Sequence, residues 1–388
     1  MKKFGVFWTI ALLLTLLVSG CSGAKPHADQ FVAIGHVAAL SGDLALWGQA
    51  EKNALSLAVE KINAAGGVAG KQLKIISYDT RGDAAETAKA AQLLMVHDRV
   101  VAIIGPAQSS NAIVMSAVTE PAKIPFIATA ATSPKATFNP VANTVRGYAF
   151  RAGFIDSYQG SVAAHFAGRD LKAKTAAVLY DAGSEYSTVL AAYFAKQFAK
   201  QGGKVLANEA FRANETDFRP LLTKVDQDEP AVIFAPTLHK EAALLVKQAR
   251  DLGIKAKIIG GDGWSNPEIL ALGGAALEGA YFVAQTGIGD PAIQSFISEY
   301  RGKFGQEPVL PNAALAVDSL LMLVEAVKQA DSADPVKIAR QLAALRDTPV
   351  LTGRLSIDPL TNSPQNRSAV VQEIRGGQFV FTTKIASE

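Results

Sequence analysis

The sequence predicts an α/β fold of two doubly wound, Rossmann-like lobes, and three observations carry that expectation. Short β-type runs alternate with longer helical patterns along the whole chain, the signature of parallel sheets with helices on both faces. The rhythm runs twice, one series ending near Phe126 and a second beginning near Ala176. Beyond the first thirty residues about 360 remain, which suits two cores of ordinary size better than one.

The first element, residues 1–20, has the form of an export signal. Lys2 and Lys3 give a positive start, and Phe4 to Val18 supply an apolar run too short for a comfortable membrane span. Val18-Ser19-Gly20-Cys21 has the pattern of a bacterial lipobox, cleaved before the cysteine, whose thiol then carries a diacylglycerol. Acyl chains on Cys21 would anchor the protein to a membrane facing the periplasm or the cell exterior. Cys21 is the single cysteine of the chain, which speaks against a disulfide or catalytic role. Residues 21–30, polar and small with one proline, read as a flexible tether.

No later stretch is long and apolar enough to span a bilayer. Without Lys2 and Lys3 the chain carries 36 basic against 35 acidic side chains. Near-neutral charge with interspersed signs argues against nucleic-acid binding. With no second cysteine the body must fold by burying a core.

Strands are expected at residues 31–37, 73–78, 100–104, 124–128, 176–180, 204–211, 231–235, 257–260, 280–284, 355–357 and 369–374. Ala50, Ala54, Leu57, Ala58 and Ile62 mark one face of the first helix, which stops at Gly66-Gly67. Thr129 to Gln159, rich in Thr, Ser, Pro, Asn and Gly, reads as a crossover between lobes. Two helical segments, 291–304 and 311–330, precede a return to short strands after Gly353.

Enzymatic constellations find no support. The five histidines are scattered without metal-ligand spacing, and there is no nucleophile elbow or phosphate-cradling loop. No metal, cofactor or catalytic residue is expected. Strand ends running into hydroxyl-rich loops are the positive signal. Gly105-Pro-Ala-Gln-Ser-Ser-Asn111 leads into a helix, and Thr129-Ala-Ala-Thr132-Ser-Pro134 follows the next strand. Ser109 or Ser110 would sit at a helix N-terminus, where hydroxyls and free N–H groups suit a carboxylate. Each loop alone reads first as a helix cap or a turn.

Together these loops resemble a family. Ser41-Gly-Asp-Leu-Ala-Leu-Trp47-Gly48, Ile62-Asn63-Ala-Ala-Gly66-Gly67-Val68 and Tyr78-Asp79-Thr80 begin the pattern. The two hydroxyl loops, Arg151, Asp156 and Gln159-Gly160 continue it. The chain resembles the periplasmic leucine/isoleucine/valine-binding proteins of ABC importers, over nearly all of Phe31 to Thr383.

The resemblance implies a type I periplasmic binding protein: two lobes joined by three hinge strands, with 31–150 and 282–352 in lobe 1 and 151–281 and 353–388 in lobe 2. Carried over, Ser109 and Thr132 grip an α-carboxylate, and the Ala130 carbonyl and Asp262 take the ammonium group. Tyr186 closes over the ligand and Trp47 packs on it. Two departures mark the second lobe. Asp262 stands where the relatives have glutamate, and Leu238 where they have a tyrosine. Leu238, Trp47 and Trp264 lean toward an aliphatic or aromatic amino acid. The implied mechanism is hinge closure over the ligand, with release to a membrane permease by a monomeric receptor. A receptor of the same fold for an amide, urea or aromatic acid, or a ligand sensor module, is the alternative.

Overall fold

The computed structural model describes residues 31–365 and 367–385; the expected leader 1–20, tether 21–30 and Cys21 lie outside them. The first lobe opens with β1 (Phe31–Ala38), α1 (Ala45–Ala64), β2 (Gln72–Asp79), α2 (Ala84–Gln92), β3 (Ala102–Ile104), α3 (Ser109–Ala122) and β4 (Phe126–Ala128). A hairpin of β5 (Phe138–Asn139) and β6 (Thr144–Val145) then leads to β7 (Ala149–Arg151). Five strands form a sheet in the order β2-β1-β3-β4-β7, parallel throughout. Because successive side chains alternate faces, Ala102 and Ile104 enter one core with Val32 and Ile34, while Ile103 enters another with Phe126 and Met115.

The chain then builds a second lobe from α4 (Asp156–His165), β8 (Thr175–Asp181), α5 (Glu185–Lys200), β9 (Lys204–Phe211), α6 (Arg219–Asp226), β10 (Val232–Ala235), α7 (His239–Asp251), β11 (Lys257–Gly260), α8 (Glu268–Gly273) and β12 (Tyr281–Ala284). It returns to the first lobe with α9 (Gln294–Phe304), α10 (Asn312–Ala330), α11 (Pro335–Ala344) and the small sheet β13 (Thr348–Val350), β14 (Gly353–Asp358) and β15 (Ser363–Gln365). Finally β16 (Ala369–Arg375) and β17 (Gln378–Ile385) add antiparallel strands to the second sheet, ordered β17-β16-β12-β11-β10-β8-β9.

Three short crossings therefore join the lobes: after Arg151, after Ala284 and after Gln365. The sequence expectation gave 282–352 to lobe 1 and 353–388 to lobe 2. Pairing with β11 holds Phe282 in the second sheet, and Leu355 and Ile357 bury into the first lobe's core. Most of Thr129–Gln159, expected as crossover, stays on the first lobe as the β5–β6 hairpin and β7, because Ala149, Phe150 and Arg151 pair with β4.

Local chemistry sets the element ends. Asp83, Ser184 and Asp334 cap α2, α5 and α11 by accepting from the N–H three residues on, each cap contributing about 1 kcal/mol. The first helix stops as expected: Gly67 has φ of 79°, and a Cβ there would meet the Lys71 carbonyl oxygen at 2.0 Å. In both sheets the chain reverses its strand order beside the first strand of the series, and in open α/β sheets ligands bind beyond the carboxyl ends at such points.

Candidate functional site

The loops following β3 and β4 meet those following β8, β10 and β11 across a cleft between the lobes. Trp47, Ser109, Ala130, Thr132, Tyr186, Leu238 and Asp262 all line it, so the structure brings all seven expected residues to one cavity. The space between these residues is about 520 Å³ with the part open to solvent included.

On the first lobe, β3 ends at Ile104 and the chain turns at Gly105, with φ of 94°; a Cβ there would meet the Val37 carbonyl oxygen at 2.2 Å. The turn delivers Ser109 to the first position of α3. Its Oγ accepts from the Thr132 and Ser133 N–H groups at 3.3 and 3.1 Å, which locks the two hydroxyl loops together. With both lone pairs engaged, the Ser109 hydroxyl is left with its O–H to donate. Thr132 is buried and its Oγ1 has no partner. Two hydroxyl donors at a helix N-terminus make a ready place for a carboxylate.

A buried network holds this half in place. Glu51 of α1 is inaccessible to solvent, and its Oε1 accepts from the Thr129 hydroxyl at 2.8 Å and the Asn312 amide at 3.1 Å. His36 lies 3.4 Å from Glu51 Oε2. One carboxylate thus ties α1 to the loop after β4 and to the start of α10, whose Pro311 and Asn312 also line the cleft.

On the second lobe, Asp262 sits in a short 3₁₀ turn after β11. The flanking glycines are required by close approach. A Cβ on Gly261 would meet Tyr186 Oη at 2.3 Å, and one on Gly263 the Thr237 carbonyl oxygen at 2.7 Å. Tyr186, in the first turn of α5, accepts from the Gly263 N–H at 3.1 Å. The Gln285 amide donates to Asp262 Oδ2 at 3.1 Å. Burial raises the Asp262 carboxyl above the ordinary range, and hydrogen bonding from Gln159, Gln285 and Tyr186 offsets part of that. Leu238 precedes α7 and packs against Trp47 across the cleft.

Sequence reasoning quoted Asp156 only as part of a pattern, yet it is a second buried acid beside the site. Asp156 is fully buried and neither carboxylate oxygen has a partner. Burial pushes it well above the ordinary carboxylate range, and the neighbouring Asp262 adds to the shift. The guanidinium of Arg151 is committed elsewhere, donating to the carbonyls of Ala131 and Ser133. Gln108, Ser184, Pro311 and Asn312 were not anticipated as lining residues. Of these, only Ser184 carried a sequence signal, as a helix cap. Trp264, expected to frame the cargo, is instead fully buried in the second lobe's core, its Nε1 donating to the Ala235 carbonyl at 3.1 Å.

Contacts bridge the cleft on both sides. Glu185 takes the Ser133 hydroxyl and the Lys135 ammonium, both at 3.0 Å, and Lys240 pairs with Asp43 at 2.6 Å. Among the described residues no cluster of side chains could hold a metal ion, and no helix is long and apolar enough to cross a membrane.

Comparison with known proteins agrees with this geometry. A family model described as periplasmic binding protein matches residues 32–378. The leucine-, isoleucine-, valine-, threonine- and alanine-binding protein of Pseudomonas aeruginosa is 30% identical over 355 residues, covering 89% of this chain and 91% of that one. The leucine-binding protein LivK of Thermotoga maritima superposes with a TM-score of 0.84 at 29% identity, covering 91% of this chain and 98% of the other. LivJ of Streptococcus pneumoniae, solved with isoleucine, gives 0.81 at 30% identity, with 92% and 99% covered. Two doubly wound lobes, three crossings and a cleft at the strand ends thus coincide with an alignment along almost the whole described chain, and the protein belongs to the periplasmic binding protein family, whose members are extracytoplasmic solute receptors rather than enzymes.

Proposed function

We propose that this protein captures an α-amino acid in the interlobe cleft and delivers it to the membrane permease of an ABC importer. The observation that carries the reading is the polarity of the cleft. Hydroxyl donors of Ser109 and Thr132 line one wall, and the buried carboxylate of Asp262 lines the other. A zwitterion matches that arrangement end for end: hydroxyl and N–H groups for its carboxylate, Asp262 and the Ala130 carbonyl for its ammonium group. An isolated ammonium buried from water needs a counter-charge, and Asp262 supplies one. Tyr186 closes the polar end, while Trp47 and Leu238 offer apolar surface to an aliphatic or aromatic side chain. The named ligands of the relatives, leucine and isoleucine among them, support the same class. In this reading the receptor acts as a monomer, tethered by a lipid on Cys21.

The test is a thermal-shift screen of residues 31–388, unfolded and refolded to strip carried-over ligand, against all amino acids, simple amides and aromatic carboxylates. Ligand at a hundredfold excess over its dissociation constant should stabilise by about 2.7 kcal/mol and move the midpoint by several degrees. A shift confined to compounds lacking an ammonium group would overturn the role of Asp262 and leave the fold assignment intact.

A further inference from the structure

The three crossings are stitched to one another, and one of the stitches ends in the ligand site. Arg367, on the third crossing, donates to the Ala152 carbonyl of the first at 2.6 Å and pairs with the buried Asp318 of α10 at 2.8 Å. That link is structural and touches nothing in the cleft.

Gln285 differs. It lies on the second crossing, directly after β12, and is nine-tenths buried. Its Oε1 accepts from the Phe154 N–H of the first crossing at 2.8 Å, and its Nε2 donates to Asp262 Oδ2 at 3.1 Å. One planar amide therefore holds a hinge backbone and a site carboxylate at once. A primary amide is suited to that place, because it accepts at one end and donates at the other without bringing a charge. The fit is close: a Cβ on Gly153 would fall 1.9 Å from Gln285 Oε1, so the first crossing carries a glycine where the amide passes. Because the amide is rigid and both contacts are buried, the Asp262 carboxylate cannot turn without either breaking a hydrogen bond or moving the amide against Phe154.

We propose that Gln285 is a positioning residue that ties the orientation of the Asp262 carboxylate to the course of the first crossing, so that a cation arriving at Asp262 is sensed by the hinge. The ligand arm of this proposal rests on the reading of Asp262 as the ammonium partner; the link itself does not.

The experiment uses residues 31–388 labelled at Val96→Cys and Leu272→Cys, exposed positions on the first and second lobes, with the interlobe distance distribution read by electron spin resonance. Without ligand, Gln285→Met and Asp262→Ala should shift the distribution alike, and the double variant should shift it no further than either alone. With L-leucine as probe, Gln285→Met should weaken binding roughly tenfold or more and leave the lobes incompletely closed at saturation. If Gln285→Met does not fold, Gln285→Leu, which is shorter and has neither the acceptor for the Phe154 N–H nor the donor to Asp262, enters the same cycle. Independent, additive shifts, or no shift in either single variant, would overturn the link. A wild-type protein indifferent to leucine would count against the proposed ligand class, and the ligand-free cycle would still decide on Gln285.

Discussion

At the scale of single residues, the two buried acids carry the consequences. Removing one partner of a buried, hydrogen-bonded ion pair costs about 3 kcal/mol or more, roughly a hundredfold in affinity. Asp262→Asn should therefore lose about that much for the cognate amino acid, whereas Trp47→Phe, which trims apolar contact, should lose under about tenfold. Calorimetric titration decides, and equal losses would remove Asp262 from its role. Asp156 and Asp262 both titrate above the ordinary carboxylate range because burial disfavours their charge. At pH between the unfolded and the raised values, the two acids of the unliganded protein hold protons that the unfolded chain has already released. Their contribution to stability is thus full below the unfolded value and is lost as pH rises through the raised ones. An ammonium group favours the ionised acids, so binding should expel protons and tighten as pH rises in that window. Titration at a series of pH values upward from the ordinary carboxylate range, in pairs of buffers of different protonation enthalpy, measures the release, which Asp156→Asn should diminish. Proton uptake on binding would contradict the assignment.

At the scale of elements, what the sequence revealed depended on burial. Strands buried on both faces, such as Val232–Ala235 and, after its exposed Lys257, Lys257–Gly260, read as short apolar runs and fall where expected. β17 escaped notice because it is an edge strand, its run broken by Thr382, Thr383 and Lys384. β7 is only three residues long and offered too little periodicity, whereas α11 carries a readable apolar face of Ile338, Ala339 and Leu342 behind Asp334 and Pro335 and was missed nonetheless. The loops of the site were legible through their hydroxyls and glycines. The approach of Pro311 and Asn312 was not, since it depends on α10 packing against α1 far away in sequence. Asp156 illustrates the same limit, because nothing local tells an acid in a first helical turn from one buried without partners. The glycines beside Asp262 give a test of close packing. Gly261→Ala forces Tyr186 and Leu190 apart and should cost about 1–3 kcal/mol of stability together with ligand affinity. Gly302→Ala in α9, where a Cβ meets open space, should leave binding unchanged and add up to about 1 kcal/mol to stability. Thermal melts with and without ligand separate the two.

At the scale of the molecule, the balance of contacts across the cleft matters more than any one of them. The bridging pairs, Lys135 with Glu185 and Lys240 with Asp43, have half-exposed lysines and in Asp43 a still more exposed acid, and such pairs are weak and screened by salt. They steady a closed cleft without locking it, so ligand contacts must supply most of the drive toward closure. The bond between Glu51 and Asn312 joins residues 261 apart in sequence, with the central strands of the second lobe lying between them. The second lobe's strands β8 to β12 form one uninterrupted stretch, while the first lobe must wait for α10 to cover α1. Long-range closure is slow, so the order of assembly runs opposite to the order of the chain. In refolding followed by pulsed hydrogen exchange, amides of β8, β10 and β11 should gain protection before those of β1 and β3. Until α10 arrives, the apolar face of α1 is left open to solvent, and a newly made chain needs shielding from its neighbours for as long as that wait lasts.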